Sequence, residues 1–571
     1  MTDQPKDYTK PHARAMRDLI VRDYTRDALL TQFGKATLDR SYLMSDETYQ
    51  DAFARVAGYY ADDAAHAQRL YDYISKQWFM PATPVLSNGG THRGMPISCF
   101  LNDVSDSIED IVDTWNENVW LAKNGGGIGT YWGDVRSIGE KVGSNGETTG
   151  VVPFIKVQDS MTLAISQGSL RRGSAAIYLP VWHPEIEEFL DIRRPTGGDP
   201  NRKALNLHNA VVIDDAFMLA VETGADYALR SPKTNLPIRY VSARDIWSRL
   251  LERRMETGEP YILFCDTVNA AIPDHHRVLG LKVKQSNLCI EITLPTGLDH
   301  HNRDRTAVCC LSSLNIETID QWAPHAEQFI EDVLRFLDNV MQDFINTAPP
   351  EFAKAVYSAN AERSVGMGVM GFHAYLQKLG IAYESEQARE VNQYVHGLIK
   401  EHADVANERL GRERGSCQDA IDATAKDGIE RHRRFSNMIA HAPTASISII
   451  CGTTSPSTEP WLNNAFLQKT LSGSFVVKNR YLEALLDDMG MNTKEVWSNI
   501  LAHEGSVQQL DFLSDTQKAL FRTAMEIDQR WVIRHAADRQ PMICQSQSTN
   551  LFLPPKIHKR DLHEIHMMAW R

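Results

Sequence analysis

The stretch Gln285-Ser286-Asn287-Leu288-Cys289-Ile290-Glu291-Ile292-Thr293-Leu294-Pro295-Thr296 carries an amide, a thiol and a carboxylate at alternate positions: Asn287, Cys289 and Glu291. In extended backbone, residues two apart share a side. One short loop or strand can therefore aim a hydrogen-bond donor, a sulfur and a proton acceptor at one small molecule. The plainer reading is a strand whose cysteine is buried as a small hydrophobe, and spacing alone favours it. Two further thiols, Cys99 and Cys309, shift the balance. A pair cycling between dithiol and disulfide supplies two electrons, while a third thiol acts alone as a radical or nucleophile. Cys265, Cys310, Cys417, Cys451 and Cys544 lack such context and read as structural.

The chain around this stretch has 571 residues, 43% hydrophobic and 23% charged. That length calls for several domains or one large α/β barrel with added elements, and the composition is that of a globular protein. A net charge of −13 argues against a nucleic-acid surface, since phosphate binding needs clustered Lys and Arg. No apolar run is long enough to span a bilayer, and the N-terminus lacks the apolar core of a secretory signal. The eight cysteines include no CxxC pair, so a cytoplasmic protein with reduced thiols is expected.

In chain order, residues 1–75 read as a helical region, with Ala54, Val56, Tyr59, Tyr60, Ala64 and Leu70 at broadly helical intervals. Met80 to Ser87 breaks the pattern with two prolines, and Asn88-Gly89-Gly90 is a turn. Ser98-Cys99-Phe100-Leu101 is a short candidate strand. Ser105-Asp106-Ser107 offers N-caps for a helix carrying Ile108, Ile111, Val112, Trp115 and Val119 as one stripe, which stops at Gly125-Gly126-Gly127-Ile128-Gly129. The stripe suits a dimer face or an intramolecular core equally. Ser166 to Ser174 is turn-rich and leads into the strand-like Ala175 to Leu179; a second strand is expected over Ala307 to Leu311. Residues 320–440 read as mostly helical, and residues 76–571 as one continuous α/β catalytic body.

Several motifs have a plainer reading beside the functional one. Gly366-Met367-Gly368-Val369-Met370-Gly371 matches GxGxxG, but helix or loop precedes it and no acidic companion follows, so a dinucleotide fold is rejected. His563-Glu564-Ile565-His566 is one residue short of HExxH. His275-His276 and His300-His301 lie in polar loops and read as solvated, so no metal site is expected. Pro443-Thr444-Ala445-Ser446-Ile447 offers N–H groups and hydroxyls where a helix begins, either a phosphate cradle or a plain N-cap.

Together these stretches, from about residue 75 to the end, resemble the large (α) catalytic subunit of aerobic class I ribonucleotide reductase. Asn287-Leu288-Cys289-Ile290-Glu291 is similar to the family's finger-loop N-x-C-x-E. The resemblance implies a ten-stranded α/β barrel, built as two five-stranded halves, with Cys289 on a central loop. It implies a thiyl radical at Cys289, Glu291 as base for the 3′-hydroxyl, Asn287 as partner of the reacting hydroxyls, and Cys99 with Cys309 as the dithiol oxidised in each turnover. Thr83, Ser98, Asn287, Glu291 and the loop Pro443, Thr444, Ala445, Ser446 and Ile447 fall at substrate-binding positions, the last five at the diphosphate. Asp106, Ser107, Ile108, Arg136, Gln167 and Arg171 fall at a site for dNTP or ATP effectors. The implied assembly is a homodimer that binds no cofactor itself. It would take its radical from a separate metal-containing small (β) subunit and its electrons from thioredoxin or glutaredoxin.

The sequence departs from that pattern at both ends. Too few residues precede the catalytic body for the family's ATP-cone, and the tyrosine pair and cysteine tail that follow a segment like Met568-Ala569-Trp570-Arg571 are not found. The expectation is a truncated chain or one fragment of a split enzyme completed by a separate C-terminal polypeptide. An adenosylcobalamin-dependent reductase, which needs no tyrosine pair, and a non-catalytic nucleotide-binding paralogue are the alternative readings.

Overall fold

A computed structural model describes residues 10–97, 99–144, 146–165, 173–470 and 473–571. Ser98, Gln167 and Arg171 lie outside the described residues. The chain opens with helices Pro11–Leu19, Gln32–Ser41, Tyr49–Tyr59 and Ala64–Ser75. The starts of the last three are set by side-chain caps: Thr31 on Gly34 N–H, Thr48 in a reciprocal capping box with Asp51, and Asp63 on His66 N–H.

The two prolines after residue 79 do more than break a helix. Phe79–Pro81 is strand β1, and Thr83–Asn88 is a short helix with Pro84 in its first turn, where a missing N–H costs nothing. The remaining strands of the main sheet are β2 (Cys99–Asp103), β3 (Gly127–Tyr131), β4 (Ser174–Pro180), β5 (His208–Ile213), β6 (Tyr261–Phe264), β7 (Ala307–Asn315) and β8 (Val365–Met370). β2 to β6 are parallel neighbours in that order. β7 turns the direction, pairing antiparallel with β2 and β1 and parallel with β8. Gly127 to Gly129, expected only as a helix stop, is therefore strand, and Gly366 to Met370 is itself a strand, so the dinucleotide turn is correctly excluded.

The architecture is an α/β fold with a curled, partly open mixed sheet and helices at its N-terminus. The closed ten-stranded barrel is met only in part: among the described residues eight strands pair in the main sheet, one half of five parallel strands being complete. The other half continues past β8 only as single bridges, Met367 to Ile439 and His441 to Gln547. Along this edge the N–H groups of Met438 and Ile439 donate to Cys544 Sγ at 3.0 and 3.1 Å, and Thr444 sits at φ +53° just beyond.

Behind β7 runs the helix Ala326–Thr347, which buries Phe329, Val333, Phe336, Leu337, Val340 and Phe344 along one face. Phe79 from β1 meets Phe329 and Phe336 edge-on at 6.2 and 5.8 Å. The expected stripe on helix Ile108–Lys123 divides: Ile111 is in the core, while Ile108 and Val112 are 58% and 51% exposed. The histidine pairs also depart from expectation. His275 and His276 lie in helix Asp274–Leu279 and are buried, one against Ser436 Oγ (2.9 Å) and the other against Asp419 (3.3 Å). No helix among the described residues is long and apolar enough to cross a membrane.

Candidate active site

The finger stretch is a turn, not an extended strand. Ile290 N–H donates to the Asn287 carbonyl at 3.4 Å, and Ile290 sits at φ +68°. That conformation is costly for a β-branched side chain, on the order of 1–3 kcal/mol, and persists only where surroundings impose it. Here they do. Leu288 and Ile290 pack into a cluster formed by Tyr131, Tyr178, Ala210, Val212 and Leu263 on the inner face of the parallel half. Ser286 Oγ donates to the Ile292 carbonyl (2.7 Å), and Ile292 N–H donates to Asn287 Oδ1 (3.2 Å), stapling the two arms. Tyr178 Oη donates to the Asn287 carbonyl at 2.5 Å. At the loop's base, Lys284 bridges Asp103 (2.7 Å) and Asp134 (2.6 Å), and Gln285 Nε2 donates to the Asn102 carbonyl at 2.8 Å. The apolar residues of the alternating pattern thus anchor the turn. Cys289 stays half-buried at its tip, and Glu291 is buried beside it.

Cys99 and Cys309 are directly opposite each other in the antiparallel β2–β7 register. Facing residues in such a pair hold their Cβ atoms about 4.5–5.5 Å apart, close to what a disulfide spans. Alternation along β7 sends Cys309 into the cluster of Leu101, Ile292, Leu294 and Ala440, and Cys310 to the opposite face, where its Sγ donates to the Leu337 carbonyl at 3.4 Å. Burial raises the Cys309 thiol well above its ordinary pKa, and the nearby Cys310, Cys99 and Glu291 push it further. It therefore keeps its proton at neutral pH. The finger reaches this pair directly: Asn287 Nδ2 donates to Cys99 Sγ at 3.8 Å.

Thr83 is carried to the same neighbourhood, since Ala82 N–H donates to the Leu311 carbonyl of β7 (3.0 Å) and the Thr83 hydroxyl meets Tyr42 Oη at 2.8 Å. In the loop Pro443–Ile447, Thr444 Oγ1 accepts the Ser457 N–H at 2.7 Å, while Ala445 and Ser446 are exposed. The helix that follows, Ile447–Ile450, is one turn with no side-chain cap, so Ser446 leaves its hydroxyl uncommitted to capping. Main-chain bonds tie this loop to the finger through one segment: His441 N–H donates to the Ser546 carbonyl (3.2 Å), and Ser546 N–H donates to the Glu291 carbonyl (3.0 Å).

At the expected effector positions, Ser107 caps the helix Ile108–Lys123, and Arg136 Nε lies 2.9 and 2.8 Å from the two Asp106 carboxylate oxygens. Arg136 N–H adds a third bond to Asp106 at 3.1 Å.

Sequence reasoning missed Gly129, Tyr178, Lys284 and Gln545. A Cβ on Gly129 would lie 2.0 Å from the Ser286 carbonyl oxygen, and a glycine inside a strand is the ordinary sign of such close approach. Gln545 Oε1 accepts the Thr293 N–H at 3.3 Å, a contact across 252 positions that no local pattern signals.

The "Ribonucleotide reductase, barrel domain" family model matches residues 97–571, and the "Ribonucleotide reductase, all-alpha domain" model matches residues 28–94. The chain is 40% identical to the ribonucleoside-diphosphate reductase large subunit of Invertebrate iridescent virus 3, over 97% of this chain and 94% of the relative. It is 42% identical to the putative large subunit of Frog virus 3 (isolate Goorha), over 88% and 86%. Among solved structures, the Actinobacillus ureae class Id ribonucleotide reductase alpha subunit superposes with a TM-score of 0.82 at 32% identity, covering 96% of each chain. With matches spanning both the helical segment and the sheet that holds the finger and the thiols, the chain belongs to the ribonucleotide reductase family, as a class I large (α) catalytic subunit.

Proposed function

We propose that the chain reduces ribonucleoside diphosphates to 2′-deoxyribonucleotides with Cys289 as the thiyl radical, Glu291 as the base and Cys99 with Cys309 as the electron source. The observation that carries this reading is the juxtaposition of the finger with the facing thiols, Asn287 Nδ2 being 3.8 Å from Cys99 Sγ. Removing a 2′-hydroxyl from an unactivated ribose needs a radical at C3′, a base on the 3′-hydroxyl, and protons and electrons at C2′. Cys289 would take the 3′ hydrogen atom and return it at the end. Glu291 would accept the 3′-hydroxyl proton, and Asn287 would hold the hydroxyls in line. The C2′–O bond breaks, the hydroxyl leaves as water, and a C2′–H bond forms. Two electrons and two protons come from Cys99 and Cys309, which close a disulfide. A Cys309 thiol kept protonated by burial suits this role, because it delivers a hydrogen and not only charge.

Thr83, Ser98 and the Pro443–Ile447 loop are proposed to hold the substrate, the amides of the exposed Ala445 and Ser446 and the Ser446 hydroxyl meeting the diphosphate. Asp106, Ser107, Ile108, Arg136, Gln167 and Arg171 are proposed to take a dNTP or ATP effector. The exposed Ile108 and Val112 beside them suit a homodimer face. We further propose that the sheet closes as a ten-stranded barrel through segments 437–441 and 545–548. The partners are a metal-containing small subunit as radical source and thioredoxin or glutaredoxin as reductant.

The test is a single-turnover reaction with CDP, an effector, a class I radical subunit and a polypeptide supplying the C-terminal tyrosine pair, without external reductant. About one dCDP per chain is expected, with peptide mapping recovering a Cys99–Cys309 disulfide. Product formation accompanied by reduced Cys99 and Cys309, or turnover driven by adenosylcobalamin, would sink the assignment.

The effector reading makes its own prediction. Asp106→Ala is expected to weaken dTTP binding by about ten-fold or more, since a hydrogen bond to a charged group is worth about 1.5–3 kcal/mol. Titration calorimetry reads this directly, and unchanged dTTP affinity would remove Asp106 from the site.

A further inference from the structure

The turn between the finger's outgoing arm and β7 carries His300 and His301. Both rings aim Nε2 at the same oxygen, Asp422 Oδ2, at 2.9 and 2.8 Å. Their ring centroids are 4.0 Å apart, and the three candidate ligand atoms lie within 4.8 Å of one another. Among the described residues no other group of three His, Cys, Asp or Glu side chains converges in this way. We propose that His300, His301 and Asp422 form a binding site for a divalent cation of the zinc type.

The donor set decides the class of ion. Two imidazole nitrogens and one carboxylate oxygen suit zinc and its first-row neighbours, whereas magnesium and calcium seek oxygen ligands throughout. Zinc–nitrogen and zinc–oxygen bonds of about 2.0–2.2 Å in a tetrahedron place ligand atoms about 3.3 Å apart. The observed 2.8–2.9 Å separations need to open by only about half an ångström. His301, whose side chain is 50% exposed, leaves one side of the site facing solvent, as an entry path and a fourth position for water.

The surroundings hold these ligands in place. Asp422 Oδ1 accepts from Gln418 Nε2 at 2.7 Å, which turns the other oxygen toward the histidines. His301 N–H donates to Asp299 Oδ1 at 2.8 Å, and Asp299 Oδ2 is itself held by Arg305 (2.9 Å) and Tyr357 (2.6 Å). Asn302, at φ +56°, closes the turn by donating to the Asp299 carbonyl at 2.9 Å. These contacts fix the carboxylate and the backbone that carries the two rings, and contacts beyond the ligands matter nearly as much in metal sites as the ligands themselves. Asp422 and Asp419 are three apart on helix Gln418–Asp427 and share a face. Asp419 already clamps Arg305 at 2.7 and 2.8 Å. A bound ion would add a second fastening between that helix and the turn linking Cys289 to Cys309.

The experiment uses the full chain with Co²⁺ and then Zn²⁺ as probes. One equivalent of Co²⁺ is expected to remain after gel filtration, with visible d–d bands, no near-ultraviolet thiolate-to-cobalt band, and displacement by Zn²⁺. His301→Ala and Asp422→Asn, checked for native circular dichroism, are expected to bind at least about ten-fold more weakly. Equal affinity in both variants, a dominant thiolate band, or no ion retained at micromolar concentration would overturn the proposal.

Discussion

Cys289→Ser is expected to abolish ribonucleotide reduction, by at least about 10³-fold or about 4 kcal/mol in barrier, while leaving fold and effector binding in place. The substitution is nearly isosteric at a half-buried turn tip. The turn is held by its neighbours: Leu288 and Ile290 in the apolar cluster, Ser286 and Asn287 across the arms. With the turn held by these other side chains, unfolding is not the expected route to inactivity. What disappears is a group that releases a hydrogen atom easily, since a hydroxyl holds its hydrogen far more strongly than a thiol. The measurement pairs CDP turnover with dTTP calorimetry and a thermal melt. Retained turnover would refute the radical role. Lost turnover with lost dTTP binding and a collapsed melt would reduce Cys289 to a structural residue.

The elements that carry the chemistry were legible in proportion to how local their signals are. Ser107 as an N-cap, the strands at Cys99 and Ala307, and the rejection of the GxGxxG motif each rest on a few adjacent residues, and each agrees with the structure. The alternation in the finger brought Asn287, Cys289 and Glu291 together on one short loop or strand, and of these the structure shows a turn. The turn depends on Ile290 being forced to positive φ by a cluster drawn from four strands, which the twelve-residue stretch cannot encode. The same limit explains His300 and His301. Two histidines in a polar loop look solvated until Asp422, 121 positions later, is folded against them. Barrel closure was legible only in part for the same reason: past β8 the segments concerned lie about a hundred positions apart and meet at the bridges Met367 to Ile439 and His441 to Gln547.

Gly129 shows how a position without side-chain chemistry can govern the site. β3 passes so close to the finger that an ideal Cβ at Gly129 would sit 2.0 Å from the Ser286 carbonyl oxygen and 3.0 Å from Asn287 Cα. Both obstacles are backbone, so no rotamer change relieves the clash. Gly129→Ala must push either the strand or the finger by about 1 Å, and a reacting group misplaced by that much costs on the order of 10² in rate. The strand is hydrogen-bonded on both sides by ladders to β2 and β4, whereas the finger is held by single hydrogen bonds and apolar packing and by no ladder. The finger is therefore expected to yield, carrying Asn287 away from Cys99 and Cys289 off line. Overpacking of this kind also destabilises by about 1–3 kcal/mol. The expected result is a kcat about 100-fold lower with a modest fall in melting temperature, and chemical oxidation still closing the Cys99–Cys309 disulfide because β2 and β7 have not moved. Gly397→Ala is the control. It lies in helix Glu386–Arg414 with nothing within 4 Å of the added methyl, so it should leave kcat unchanged and raise stability slightly. An unaltered kcat in Gly129→Ala would mean that the finger's position against β3 does not set the geometry of the radical site.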